Sequence, residues 1–229
     1  MTASRAPIAV ALDTSDLATA TAWASAVAPS ARAVKVGLQL FCHEGPGAVE
    51  KIRAVGDLEL FLDLKLHDIP ATVAGAARSL QPLAPTYLTV HAAGGPAAIE
   101  AAATALPDTR IAGVTILTSL SAADLDLLGI VGPPEAAVRR LAKVAVDAGA
   151  RALVCSPQEV AVVRAEVGPD IVLITPGVRP AGADTQDQSR IATPEQALAD
   201  GADLLVIGRP ITGADDVGKT ASELATKLR

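Results

Sequence analysis

The sequence predicts an α/β protein in which eight strand–helix units close into a single barrel. Eight short apolar runs recur roughly 20–35 residues apart. Alanine-rich segments with helical spacing separate them, and no linker or shift in composition divides the chain. We therefore expect residues 1–229 to form one (β/α)8 catalytic domain, a length that suits a single α/β barrel.

Each predicted strand is short, rich in leucine or β-branched residues, and bounded by Gly, Pro, Asp or Ser. The strands are expected at residues 8–13, 33–40, 58–66, 87–93, 110–118, 151–156, 170–177 and 203–209. A doubly wound open sheet is the alternative for this length. Such a sheet usually has a glycine-rich turn after its first strand, whereas residues 11–16 read ALDTSD. The closed barrel is therefore favoured.

Four of the intervening segments carry helix signals. These signals are Ser15 as the N-cap of 15–28, Pro70 in the first turn of 69–83, Gly149 near the end of 133–150, and Thr193 before Pro194 and Glu195 in 193–202. Helices between parallel strands are what a barrel requires.

The composition excludes several classes of function. The chain carries 19 Lys+Arg against 25 Asp+Glu, and an acidic chain without a basic run is a poor nucleic-acid binder. Two cysteines, Cys42 and Cys155, form neither a disulfide framework nor a metal-ligand pair, which indicates a reducing compartment. No apolar run approaches the roughly 18 residues of a membrane span, and the N-terminus lacks a signal-peptide pattern. We expect a cytoplasmic protein that acts on small molecules.

Charged residues interrupt the leucine-rich third strand. Alternation places Leu60, Leu62 and Leu64 on the helix-facing side, so Asp63 and Lys65 point into the barrel as neighbours. Asp68 follows just beyond the strand end. The same alternation turns Lys35 of the second strand and Asp13 of the first toward the interior.

Five charges thus converge where barrel enzymes place their catalytic groups. The alternative is a set of buried ion pairs that only ties the barrel mouth together. Adjacent carboxylates keep Lys65 an ammonium, which disfavours a Schiff base and suits a general acid toward a carbanion. Asp63 beside a substrate carboxylate would repel it, so the cluster predicts decarboxylation followed by protonation. Asp63 and Asp68 could ligate Mg²⁺, but two lysines already bring positive charge.

The last two strands predict a phosphate site. Gly208 allows close approach of the backbone to an anion, and Arg209 offers a bidentate donor. A short helix after Arg209 would direct N–H groups at the same anion. After the seventh strand, the polar stretch 181–190 predicts a lid, and Arg179 and Gln188 are expected to close over the phosphate.

The stretch DLKLHDIP (63–70) resembles the Asp-x-Lys-x-x-Asp signature of the orotidine 5′-phosphate decarboxylase family, in its bacterial form. The supporting motifs span nearly the whole chain: VALD (10–13), VKVG (34–37), VHAAGG (90–95), LTSL (117–120), TPGVRP (175–180), DQSR (187–190) and VIGRPIT (206–212). A wider suprafamily shares the Asp-x-Lys-x-x-Asp signature, whereas the full set of motifs in this order is specific to the orotidine 5′-phosphate decarboxylase family.

The resemblance implies conversion of orotidine 5′-monophosphate to UMP without cofactor or metal, in a homodimer with shared sites. It assigns Lys65 as proton donor to C6 of the pyrimidine and Asp63 as the group that crowds the substrate carboxylate. Lys35 would complete the charge network and touch the ribose. The remaining substrate-binding residues would be Asp13, Thr72 and Thr118, with Asp68 reaching the ribose in the neighbouring subunit's site.

Two other functions stay open. Metal-dependent sugar-phosphate lyases or decarboxylases of the same suprafamily would carry an acidic Mg²⁺ ligand on the second strand, where this chain has Lys35. A catalytically silent barrel that binds a nucleotide is the other possibility. His67 and His91 lie near the predicted site without an assigned role, and Cys155 is interpreted as a small core residue.

Overall fold

Eight parallel strands close into a barrel in the order β1 to β8, as the sequence predicts. The structure is a computed structural model that describes residues 5–179 and 192–229. The strands are β1 (Ala6–Ala11), β2 (Ala31–Gly37), β3 (Glu59–Leu66), β4 (Tyr87–His91), β5 (Arg110–Val114), β6 (Ala152–Val154), β7 (Val172–Thr175) and β8 (Leu204–Ile207).

Helices connect successive strands; among the described residues, two helices lie between β2 and β3 and two between β5 and β6, and two more follow β8. They are α1 (Leu17–Val27), α2 (Leu38–Glu44), α3 (Pro46–Arg53), α4 (Pro70–Leu80), α5 (Pro96–Ala105), α6 (Ala122–Leu127), α7 (Pro134–Asp147), α8 (Val160–Val167), α9 (Pro194–Ala199), α10 (Arg209–Thr212) and α11 (Val217–Lys227). Short 3-10 turns cover Gln81–Leu83, Ala92–Gly94 and Pro157–Glu159.

The alternation of side chains along the strands divides the core into two layers. Leu and Val side chains on one face pack against the helices, as Val10, Val34 and Leu62 do. The opposite face fills the barrel, where Phe61 and Tyr87 meet edge to face with ring centres 5.9 Å apart. Small alanines of β1, β2, β5 and β6 belong to the same interior layer, and Ala11 of β1 also lines the cavity described below.

Several predicted boundaries differ from the structure. Asp16, and not Ser15, caps α1, because its carboxylate accepts from the N–H groups of Ala18 and Thr19. The second predicted strand ends at Gly37, and its last three residues begin helix α2 instead. Thr193 does cap α9, by accepting from the N–H of Gln196.

The predicted fifth strand, 110–118, is too long by four residues. Strand β5 ends at Val114, so Thr118 lies in the connection to α6. The predicted helix 69–83 is also shorter, because α4 ends at Leu80 and a 3-10 turn containing Pro82 follows. A proline cannot donate the backbone hydrogen bond that would continue the helix.

Candidate active site

A cavity of about 650 Å³ opens at the carboxyl ends of the strands. Its wall combines charged groups from β1 to β3, a largely apolar side from β5 and β6, and two arginines after β7 and β8. Eight of the residues predicted from the sequence line it: Asp13, Lys35, Asp63, Lys65, Thr118, Arg179, Gly208 and Arg209. Catalytic groups of (β/α)8 enzymes occupy this end of the barrel.

Four charges form one chain of ion pairs on the wall built by β1 to β3. Lys35 Nζ lies 2.9 Å from Asp13 Oδ1 and 3.4 Å from Asp63 Oδ2. Lys65 Nζ lies 2.8 Å from Asp63 Oδ1. Lys35 and Asp63 are 9% and 13% exposed, whereas Asp13 is 52% exposed. The two ammonium groups therefore flank the Asp63 carboxylate, and water reaches mainly the outer end of the chain.

The surroundings of Asp63 keep it ionised. Burial alone would raise the pKa of its carboxyl group. The charges of Lys35 and Lys65 and the hydrogen bonds from Lys65 and Thr89 outweigh burial, so the pKa lies below its ordinary value. Asp63 therefore stays ionised although its side chain is largely buried.

Lys65 occupies an irregular stretch of β3. Its φ angle is +49°, in the left-handed region that residues other than glycine rarely adopt. Backbone strain of this kind amounts to about 1–3 kcal/mol and persists where surrounding contacts impose it. The alternation of side chains predicts the inward direction of Lys65, but it gives no sign of this distortion.

Gly37 makes room for the ion pairs. A Cβ atom at this position would lie 2.9 Å from both Asp13 Oδ1 and Lys35 Nζ. Any side chain would therefore displace the bonded pair, and the register of the sheet places Gly37 directly opposite Asp63. The glycine is part of the site although it carries no functional group.

The side of the cavity formed by β5, β6 and their loops is largely apolar, with hydroxyl groups at its edge. Val114, Ile116 and Val154 supply the apolar surface, and Thr118 and Ser119 supply the hydroxyls. Cys155, interpreted from the sequence as a small core residue, is buried in the core and also lines this wall. Such a surface suits a flat ring with polar edges.

Two arginines face the same cavity from the end of the barrel where phosphate usually binds. Arg179 is 8% exposed and lies beyond β7, where its backbone N–H donates to Ala192 O. Arg209 is exposed and opens the four-residue helix α10, with Gly208 before it. Guanidinium groups bind phosphate in a bidentate way. Gln188 and the predicted lid, 181–190, lie outside the described residues.

Asp68 and Thr72 are not part of the cavity wall in the single chain. Both are exposed, and Asp68 Oδ1 accepts from the backbone N–H of Ile69 at 2.6 Å. Ile69 is itself 66% exposed. The segment between β3 and α4 thus presents an acid and an apolar side chain at the barrel mouth.

The two histidines that the sequence left unassigned form a pair beside the charged wall. The rings of His67 and His91 are centred 5.1 Å apart. Burial, the neighbouring His67 and the charge of Lys65 lower the pKa of His91. Neither histidine lines the cavity. His67 follows β3 and His91 ends β4, where the charges of Lys65 and Asp63 act on it.

Thr89 and Gln39 are site residues that sequence reasoning missed. Gln39 of α2 lines the cavity, but its segment was predicted as strand. Thr89 is fully buried and bonds to both Asp63 and Lys65, yet in the run YLTVHAA it has the pattern of an ordinary strand threonine.

Within residues 5–179 and 192–229, no group of three or more His, Cys, Asp or Glu side chains is gathered so that it could hold a metal ion. In the same part of the chain, no helix has the length and apolar character needed to cross a membrane. Cys42 is exposed and Cys155 buried, and neither forms a disulfide.

The fold and the cavity together define a barrel enzyme with a largely buried carboxylate–ammonium cluster and two arginines on the cavity wall. The family model described as Orotidine 5'-phosphate decarboxylase / HUMPS family matches residues 6–224. The chain belongs to this family.

Similar proteins and a similar solved structure carry the name of the same family. The chain is 65% identical to orotidine 5'-phosphate decarboxylase of Thermobifida fusca, over 98% of this chain and 96% of the relative. It is 58% identical to orotidine 5'-phosphate decarboxylase of Frankia casuarinae, over 98% of this chain and 88% of the relative. Orotidine 5'-phosphate decarboxylase from Lactobacillus acidophilus superposes with a TM-score of 0.83 at 35% identity, covering 97% of this chain and 98% of that chain.

Proposed function

We propose that this chain converts orotidine 5′-monophosphate to UMP and CO₂, without metal or organic cofactor, and that Lys65 donates the proton to C6. The observation that carries the proposal is the position of Asp63, whose carboxylate lies 2.8 Å from Lys65 Nζ and 3.4 Å from Lys35 Nζ at the cavity wall. Relatives 65% and 58% identical carry the name of this activity.

The reaction proceeds in two steps at the charged wall. A substrate carboxylate placed beside Asp63 is repelled by it, because both groups are ionised. The bond between C6 and the carboxylate carbon breaks, CO₂ leaves, and the electron pair stays on C6. Lys65 then gives a proton from its ammonium group to C6, becomes a neutral amine, and regains a proton from water.

The three chemistries of the cavity match the three parts of this substrate. Arg179 and Arg209 suit the phosphate, and the hydroxyls of Thr118 and Ser119 suit the polar edge of a pyrimidine. The half-exposed Asp13 and the buried Lys35 also line the cavity, and we assign the ribose hydroxyls to them. Gln188 and Thr72 remain proposed contacts of the bound nucleotide.

Metal independence is supported by charge. In the metal-dependent sugar-phosphate enzymes, an acidic ligand is expected on the second strand. Here β2 places the Lys35 ammonium 3.4 Å from Asp63, so a fixed cation already lies against the carboxylate that a metal would bind.

A single assay tests the function: the loss of orotidine 5′-monophosphate absorbance with purified protein, before and after exhaustive EDTA treatment. We expect equal turnover in both. A large loss that Mg²⁺ restores would favour the sugar-phosphate reaction instead. Tight nucleotide binding with no turnover in either sample would identify a silent nucleotide-binding barrel.

We further propose that residues 1–229 act as one catalytic domain in a cytoplasmic homodimer with shared sites, within pyrimidine nucleotide biosynthesis. The exposed Asp68 and Ile69 at the barrel mouth support a partner there, because they are available to a second copy's cavity. Two free cysteines are compatible with a reducing compartment.

A further inference from the structure

The register between β3 and β4 is interrupted at the charged wall. Leu62 pairs with Leu88, but the next pair is Leu66 with Val90. Three residues of β3, from Asp63 to Lys65, therefore lie opposite one residue of β4, which is Thr89. Bulges of this kind redirect side chains and leave backbone groups without their ladder partners.

The side chain of Thr89 takes up the backbone group that the bulge releases. The Lys65 backbone N–H donates to Thr89 Oγ1 at 2.8 Å. The same hydroxyl donates to Asp63 Oδ1 at 3.1 Å, and Asp63 Oδ1 also accepts from Lys65 Nζ at 2.8 Å. These three bonds close a ring that joins the backbone of Lys65 to its own ammonium through Thr89 and Asp63.

We propose that Thr89 is a positioning residue, whose hydroxyl holds Lys65 in its left-handed backbone conformation and fixes the Asp63 carboxylate beside the Lys65 ammonium. Thr89 is fully buried and does not line the cavity, so it acts through its two neighbours and does not touch the substrate. The kinetic part of this inference rests on the proposed function.

The hydroxyl is suited to this role because it both donates and accepts. Valine has nearly the same shape, but at position 89 it would leave the Lys65 N–H without an acceptor and Asp63 without one of its donors. A buried donor without a partner is unfavourable, and the positive φ of Lys65 (+49°) would lose its local support. The bulge could then relax and move the ammonium away from the reacting carbon.

The test compares Thr89→Val, Thr89→Ser and a matched control, Thr109→Val. Thr109 is also buried, and its hydroxyl donates to Pro85 O at 2.9 Å just before β5, at the opposite end of the barrel. We expect Thr89→Val to lower kcat about 10–100-fold, by analogy with the loss that follows removal of groups that orient metal ligands, with KM changed less than about 3-fold. Thr89→Ser should stay within about 3-fold of wild type, and Thr109→Val should keep wild-type kinetics.

A second readout does not depend on turnover. Amide hydrogen exchange followed by NMR should show faster exchange at Lys65 in Thr89→Val than in wild type or Thr89→Ser, with the rest of β3 and β4 little changed. If wild-type protein fails to decarboxylate the nucleotide, the proposed function fails, and this exchange comparison still decides the role of Thr89.

Three outcomes would overturn the inference: wild-type kcat in Thr89→Val, equal losses in the serine and valine variants, or exchange that rises throughout the barrel. Thr89→Ala repeats the measurements without added bulk if the valine variant does not fold. If Thr89→Val and Thr89→Ala both fail to fold, the Thr89 hydroxyl is needed for stability, and this result would also contradict the positioning role.

Discussion

Replacing Lys65 by arginine separates the charge of this side chain from its ability to release a proton. A guanidinium keeps a positive charge beside Asp63, but its pKa lies well above that of a lysine ammonium, so it is a very poor acid. Lys65→Ala removes both properties. If Lys65 is the proton donor, Lys65→Arg should retain nucleotide binding and lose turnover, whereas Lys65→Ala should lose more.

The expected size follows from the contacts of Lys65. General acid catalysis contributes about 10²–10⁴-fold, which corresponds to about 2.7–5.4 kcal/mol of transition-state stabilisation. Lys65→Arg should lose this amount. Lys65→Ala also breaks the 2.8 Å pair with Asp63, whose side chain is only 13% exposed, so its loss should exceed that of the arginine variant.

The assay is turnover of orotidine 5′-monophosphate, with circular dichroism to confirm folding and UMP titration to measure binding. Lys143 provides matched controls, because its ammonium lies 3.0 Å from Asp147 Oδ2 in an exposed pair on α7. Lys143→Arg and Lys143→Ala should be fully active, since exposed pairs contribute at most about 1 kcal/mol. Turnover of folded Lys65→Arg within 10-fold of wild type would refute the proton-donor role.

Three other predictions concern the phosphate site, the histidine pair and the dimer. Arg209→Ala should lower kcat/KM for the nucleotide by about 1.5–3 kcal/mol and hardly change it for the nucleoside; equal losses would make Arg209 structural. Because the pKa of His91 is lowered from 6.5, the unfolded chain binds more protons there, and the free energy of unfolding should fall as pH drops below about 6.5. His91→Gln should flatten this slope in denaturant titrations between pH 5 and 7; an unchanged slope contradicts the assignment. Mixing Lys65→Ala with Asp68→Ala subunits should restore activity at about a quarter of all sites, and no recovery after demonstrated exchange rejects shared sites.

The alternation of side chains made much of the charged wall predictable. Strand parity assigns Lys35 and Asp63 to the interior, and both line the cavity. Asp13 lines it too, although β1 ends at Ala11 and not at Asp13 as predicted. The eight strands were equally evident, because each is a short apolar run between turn residues. Periodicity could not predict where each strand ends. Strands β2 and β5 end at Gly37 and Val114, because contacts at the barrel mouth determine these ends.

The bulge in β3 lies beyond what the sequence pattern can predict. Lys65 has the parity of an inward residue in a regular strand, yet its φ is +49° and the register shifts around it. The hydrogen bonds that define this distortion come from Thr89, 24 residues further along the chain. A threonine within a strand has no local feature that distinguishes a positioning role from ordinary packing, so only the three-dimensional contacts reveal it.

The rigidity of Asp63 gives the charged wall its proposed effect on the substrate. A carboxylate that is free to rotate would turn away from an incoming carboxylate, and the repulsion would be lost before it could assist bond cleavage. Asp63 is instead held by Lys35, Lys65 and Thr89, at 3.4, 2.8 and 3.1 Å. Turning away would break these contacts in a largely buried site. Under the proposed reaction, departure of CO₂ is then the favourable way to relieve the repulsion, and it leaves the carbanion beside the ammonium that can protonate it.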